Sequence, residues 1–109
     1  MTDIHIENQT ELMENIRKIW SMITRNELDE ALELSVICYE KAIATENTDA
    51  IAQTLRHFAA IEYAKGNLHK SLSFANKSLQ LAKDANNWEC VVSALNSSAG
   101  SYSLMGDNR

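Results

Sequence analysis

The stretch that decides the fold covers residues 63–82 and reads YAKGNLHKSLSFANKSLQLA. Gly66 lies between two segments of it that both look helical, although the chain has only three glycines and no proline. Glycine tolerates the left-handed backbone in which helices commonly end, so the chain can reverse at once into the next helix. The stretch therefore predicts two antiparallel helices joined by a very short turn.

The sequence repeats itself with a period of 40 residues. A shift by 40 places Asn26 on Gly66 and Gly66 on Gly106, and asparagine and glycine are the two residues that best tolerate a left-handed backbone. Other residues coincide in size and polarity, as in the pairs Leu28 and Leu68, Leu32 and Leu72, Ala42 and Ala82, Leu55 and Leu95, and Ala59 and Ala99. Such matches indicate a chain built from a repeated structural unit.

Each half of this unit reads as a helix, because apolar and small residues recur at the i, i+3, i+4, i+7 spacing of an amphipathic helix. The predicted helices cover residues 9–24, 27–44, 49–64, 67–84 and 87–104, after a tail of residues 1–8. The predicted fold is an all-α domain over residues 9–109, with repeats over 9–46, 47–86 and a truncated 87–109.

Polar residues mark two of the predicted helix starts. Asn47 or Thr48, followed by Asp49, is expected to cap the third helix. Asn86, with Glu89 three residues later, resembles the capping box that begins a helix, here the fifth one.

These features resemble the tetratricopeptide repeat (TPR), a helix–turn–helix unit of about 34 residues with small residues where its helices cross. With Gly66 on the family's turn glycine, Ala59 takes the small position of the first helix. Ser71 and Ser78 take the two small positions of the second helix. The resemblance implies an α-solenoid of antiparallel hairpins, with two full repeats and the first helix of a third.

The sequence also departs from the family pattern. The family's tryptophan and its proline are absent, and Ile19 replaces the small residue of the first helix in the first unit. In that unit Ala31 and Cys38 hold the small positions of the second helix. The period of 40 residues implies longer helices or looser connections, as in repeats that look like those of bacterial regulatory proteins.

Composition limits the class of protein. The net charge of −5 argues against a nucleic-acid binder, which needs a basic surface for phosphates. The start of the chain has neither a basic segment nor an apolar run, so neither a signal peptide nor a membrane anchor is expected. Two cysteines that lie 52 residues apart form no disulfide framework. These features predict a cytoplasmic protein that does not bind membranes.

Charge is unevenly distributed along the chain. Residues 1–50 hold eleven acidic and four basic residues, whereas residues 51–109 hold four acidic and six basic ones. Such asymmetry steers a partner or aligns two copies head to tail. The alternative is two faces that are simply solvated differently.

No arrangement of residues predicts catalysis. The three histidines have no carboxylate or thiol at a repeated spacing, and the three glycines are each isolated, so no phosphate-binding loop is present. Cys38 aligns with Ser78, which indicates a small packing residue rather than a ligand or nucleophile. We therefore expect no catalytic residues, no metal site and no cofactor, and this segment is not expected to be an enzyme.

The resemblance implies a binding groove instead, because the first helix of each TPR unit lines the concave face that holds a protein or peptide segment. In this sequence the candidate groove residues are Trp20, Gln53, Arg56, Tyr63, Ser93 and Asn96. Met13, Ile16, Ile23 and Ala60 share those lining positions. The alternatives are that Trp20 belongs to the core and that Arg56 is exposed or internally paired.

The truncated third unit predicts self-association. An unpaired fifth helix leaves an apolar side uncovered, with Val91, Leu95 and Leu104 as candidates, so we expect a homo-oligomer formed through this end or by helix exchange. The resemblance implies an interaction or sensory module at the front of a cytoplasmic bacterial signalling protein. Its output domain would be, for example, a diguanylate cyclase or a DNA-binding region. The alternative is a stand-alone adaptor or dimerisation domain.

Overall fold

The computed structural model describes the backbone of residues 2–86 and the side chains of residues 10–86. This part of the chain is all-α and contains no strand, as predicted. It consists of four helices: α1 (Thr2–Thr24), α2 (Leu28–Ala44), α3 (Thr48–Ala64) and α4 (Leu68–Asp84). The predicted fifth helix lies outside the described residues.

The predicted bounds of α2, α3 and α4 agree with the structure to within one residue at each end. The prediction for α1 was wrong at its start, because the helix begins at Thr2 and includes most of the predicted tail. Residues 2–8 continue the helix without a turn residue or proline to end it.

The backbone repeats every 20 residues, half the period seen in the sequence. Helices α2, α3 and α4 each have 17 residues and begin 20 residues apart. Each helix ends in a left-handed residue, with φ of +62° at Asn26, +54° at Glu46, +84° at Gly66 and +57° at Asn86. The left-handed turns predicted at Asn26 and Gly66 are therefore confirmed.

The same pair of hydrogen bonds closes the turns after α1, α2 and α3. After α3, the N–H of Gly66 donates to the Tyr63 carbonyl at 3.0 Å, and the N–H of Asn67 donates to the Glu62 carbonyl at 2.9 Å. Corresponding pairs follow Ile23 and Ile43. This is the Schellman motif, which satisfies carbonyls that the helix end leaves without partners.

The two predicted helix caps differ in outcome. The Asn47 side-chain oxygen accepts a hydrogen bond from the Ala50 N–H at 3.1 Å, so the predicted cap of α3 is confirmed. The prediction that Asn86 caps a fifth helix was wrong. Asn86 is the left-handed residue that ends α4, and its N–H donates to the Lys83 carbonyl at 3.1 Å.

Successive helices pack against one another, and α1 also packs against α3, so α3 contacts all three other helices. Helices α2 and α4 bury equivalent columns of small residues 40 positions apart. These are Ala31, Ser35, Cys38 and Ala42 on α2, and Ser71, Ala75, Ser78 and Ala82 on α4. The described part of the chain is therefore a helical-repeat-like structure.

Candidate functional site

One face of α3 carries the candidate groove residues of the second unit. Gln53, Arg56, Ala60 and Tyr63 follow the i, i+3, i+7, i+10 spacing that places side chains on one side of a helix. The first three are half-buried, and Tyr63 is 39% exposed near the end of the helix. The face is therefore accessible along its length.

Trp20 reaches this face from α1. The Arg56 guanidinium carbon lies 5.9 Å from the centre of the Trp20 ring, within the range of a cation–π interaction. The ring of His57 stacks on Trp20 at a centroid distance of 6.3 Å and an interplanar angle of 30°. Trp20 nevertheless remains 51% exposed. The alternative that Trp20 belongs to the core was wrong.

His57 is the buried support beneath Trp20. The side chain is 1% exposed, and neither ring nitrogen has a hydrogen-bond partner within the described residues. Burial, and secondly the neighbouring charge of Arg56, lower the pKa of His57 to about 3. The Ile16 carbonyl favours the protonated ring weakly, without reaching hydrogen-bonding geometry, so His57 is neutral at physiological pH.

Polar contacts fix the other end of the face. The Gln53 side-chain amide donates a hydrogen bond to the Asp49 carboxylate one turn earlier, at 3.2 Å. Together with Arg56 and Tyr63, this amide offers donors and an acceptor beside an aromatic surface. Such a set suits a peptide segment that presents a carboxylate or backbone carbonyls together with an apolar side chain. Ser93 and Asn96 lie outside the described residues.

Several residues expected near the groove belong to the core. Ile16 is fully buried, so its assignment to the lining was wrong. It points into the cluster that also contains Ile19 and Ala31. Met13 and Met22 are half-buried and pack against the same cluster, which confirms that they fill gaps in the core.

Sequence reasoning missed His57 as a member of the site. The signal was present, because Ala50, Thr54, His57 and Ile61 share helical spacing and are all buried. The stripe used for the prediction instead contained Ile51, Phe58 and Tyr63, which are half-buried or exposed. Since α3 contacts three other helices, it buries more than one stripe, and a single periodicity does not reveal this.

Cys38 is a packing residue, as predicted. It is 1% exposed within the core cluster, and burial raises the pKa of its thiol, an effect that the charge of Lys41 partly opposes. Among the residues with described side chains, no three histidine, cysteine or acidic residues are placed to hold a metal ion. Cys90 and the predicted self-association residues Val91, Leu95 and Leu104 lie outside the described residues.

No protein-family model matches this chain, and comparisons with curated proteins and with solved structures give no significant match. None of the helices within residues 2–86 combines the length and the apolar composition that a membrane crossing requires. The site itself must therefore carry the functional argument.

Proposed function

We propose that this chain is a TPR-like protein-interaction module that binds a peptide segment of a partner protein along the face formed by α1 and α3. The observation that carries the proposal is the state of Trp20. It is half-exposed, yet it is held between the buried ring of His57 and the guanidinium of Arg56. Tryptophan, tyrosine and arginine are the residues that most often dominate the energy of protein interfaces.

The fold supports the TPR-like part of the proposal. Equivalent small residues are buried on α2 and α4, and α1 packs both on α2 and on α3. This arrangement stacks one helix hairpin on the next and leaves the first helices of neighbouring hairpins side by side. A face shared by α1 and α3 is therefore where a segment would contact both units at once.

The site is suited to binding because its aromatic surface is already ordered. Stacking on His57 restricts the Trp20 ring before any partner arrives, so less side-chain entropy is lost on association. A partner would act by mass action, favouring whichever arrangement of the repeats fits it best. In the signalling protein that the resemblance implies, this bias would pass to an output domain. Whether the reading frame continues past Arg109 into such a domain distinguishes this role from that of a stand-alone adaptor.

The test uses the full chain as bait for a displayed library of random peptides. Affinities of the selected peptides are then measured for the parent and for Trp20→Ala and Gln53→Ala. Loss of the indole should weaken binding by about tenfold or more, since interface tryptophans commonly contribute at least 1.4 kcal/mol, to use a round figure of about that size. Loss of the Gln53 amide should weaken binding less.

Glu14→Ala is the matched control, because Glu14 is exposed on α1 and belongs to neither the face nor the core. It should bind as the parent does. Circular dichroism should give the same helicity for all variants. If no peptide is enriched, or if Trp20→Ala binds the selected peptides as tightly as the parent, the proposed face is wrong.

A further inference from the structure

A second surface of the molecule, the outward side of α2, has unusual composition. Three large apolar residues are exposed there: Val36 is 42% exposed, and Ile37 and Ile43 are each 48% exposed. Beside Trp20 and Tyr63, these are the large apolar side chains that the described part of the chain exposes. We define the outer face of α2 by Val36, Ile37 and Ile43 together with the exposed Glu33 and Glu40.

The repeat itself shows that the fold does not need apolar residues at these positions. A shift by 40 places Val36 on Asn76, Ile37 on Lys77 and Ile43 on Lys83, and all three residues on α4 are exposed. The two helices share their backbone length and their buried column of small residues. Packing of the hairpins therefore accounts for the buried sides of α2 and α4, but not for the apolar outer face of α2.

The outer face of α2 is also acidic. Glu33 and Glu40 are seven residues apart, so on a helix they lie along one line, between Val36 and Ile43 on one side and Ile37 on the other. No ion pair involves either carboxylate among the described residues. Asp29 and Glu30 add two more carboxylates in the first turn of α2, and Lys41 is the one basic residue of this helix.

We infer that the outer face of α2 is a docking surface for a basic amphipathic helix of another protein. Apolar side chains on either side of a carboxylate line fit a helix that presents leucine-like residues together with lysine or arginine. Laying an apolar helix stripe into such a surface is a common mode of peptide recognition. Charge complementarity would orient the helix and speed its encounter with α2.

A second copy of the chain fits this surface less well. Two α2 helices placed face to face bring Glu33 and Glu40 of one copy towards those of the other, and like charges repel. Helix α4 carries the complementary charge, with Lys70, Lys77 and Lys83. However, it exposes no large apolar side chain within the described residues, so it offers nothing to cover the apolar part of α2.

The experiment uses the full chain and three synthetic peptides of about 18 residues, which is five turns of helix. The first is amphipathic and made of leucine and lysine, the second replaces lysine by glutamate, and the third shuffles the first so that its apolar stripe is lost. Binding is followed by fluorescence anisotropy, and the contact surface is mapped by backbone amide chemical shifts. The leucine–lysine peptide should bind alone and shift the amides of α2, and salt should weaken it.

Two variants transplant the residues of α4 onto α2, where the repeat already tolerates them. Val36→Asn with Ile43→Lys should weaken binding of the leucine–lysine peptide by at least about tenfold. Glu40→Gln should weaken it less, by roughly threefold, and reduce its salt dependence. Trp20→Ala is the control and should bind this peptide as the parent does, because Trp20 belongs to the α1–α3 face.

Three results would overturn the inference. The first is equal binding of the peptide by the parent and by the double variant. The second is a set of shifts that maps to the Trp20 face and disappears with Trp20→Ala. The third is sedimentation showing that the parent dimerises and the double variant does not, which would make a second copy the occupant of the surface.

Discussion

The α1–α2 and α3–α4 hairpins share one backbone plan but fill the space between their helices differently. In the second hairpin, the positions of α3 that face α4 are Ala52 and Ala59, both fully buried. A shift by 40 places Leu12 and Ile19 of α1 at the same positions, and both are buried as well. Consistently, α3 and α4 lie closer together along their length than α1 and α2 do.

The close approach of α3 and α4 lets hydroxyl groups cross between helices. The Ser71 hydroxyl donates to the Ala59 carbonyl at 2.8 Å, and the Ser78 hydroxyl donates to the Ala52 carbonyl at 2.7 Å. In the first hairpin, the Ser35 hydroxyl instead donates within its own helix, to the Ala31 carbonyl at 2.7 Å. One hairpin is thus held mainly by apolar volume and the other by small residues and hydrogen bonds between helices.

The largest expected effect that breaks this comparison is Ile19→Ala. It gives the first hairpin the residue that the second one uses, but without the close approach that makes alanine sufficient there. The cavity should lower the free energy of unfolding by about 2–5 kcal/mol. Urea unfolding followed by circular dichroism measures the change, with Lys18→Ala at an exposed neighbouring position as the control. A loss below about 1 kcal/mol would show that α1 moves in to close the gap.

The second prediction concerns the joint between the hairpins, where His57 of α3 packs on Trp20 of α1. Because the pKa of His57 is lowered from 6.5 to about 3, the unfolded chain takes up a proton below pH 6.5 that the folded chain does not. Stability should therefore fall as the pH drops from 6.5 towards 3. By pH 4 this single group should contribute a loss of roughly 2–3 kcal/mol.

His57→Phe isolates this loss from the titration of the carboxylates. Phenylalanine keeps a ring against Trp20 and removes two buried nitrogens, so the variant should be at least as stable as the parent at pH 7. The difference in unfolding free energy between variant and parent should then grow between pH 6.5 and pH 4. A constant difference across this range would contradict the buried neutral histidine.

The third prediction sharpens the contrast between the two kinds of serine. Ser78→Ala removes a hydrogen bond between helices and should cost about 1 kcal/mol. Ser35→Ala removes only a bond within α2, and the equivalent position of α4 is already Ala75, so its effect should stay within about 0.5 kcal/mol. Equal losses, measured by thermal unfolding of the two variants, would refute the different roles assigned to the hairpins.

The sequence predicted what local spacing and turn residues determine. The bounds of α2 to α4 and the turn at Gly66 follow from patterns that a few neighbouring residues carry. The left-handed turn at Glu46 was not predictable, because glutamate carries no preference for that backbone and the turn is imposed by the hydrogen bonds around it. The hairpin contrast was visible only as Ile19 in place of a small residue.

The candidate site was less predictable than the fold. Trp20 shares a helical stripe with the buried Ile16 and Ile19, and a stripe does not tell its centre from its edge. Only packing against α3 leaves Trp20 half outside and buries His57 beneath it. The outer face of α2 likewise follows from exposure, which the sequence gives only as three apolar residues among charged ones.

The smallest expected effect tests the turns, where the hairpins differ as Asn26 against Gly66. A side chain added at Gly66 would meet no atom within 4 Å, so any cost must come from the left-handed backbone alone. Gly66→Asn should therefore lower the free energy of unfolding by less than about 1 kcal/mol, since Asn26 and Asn86 adopt the same conformation. Gly66→Val should cost more, about 1–2 kcal/mol, because its branched side chain tolerates positive φ poorly. Denaturant unfolding of the two variants checks this order, and equal stability would mean that the turn after α3 gives up its left-handed residue without loss.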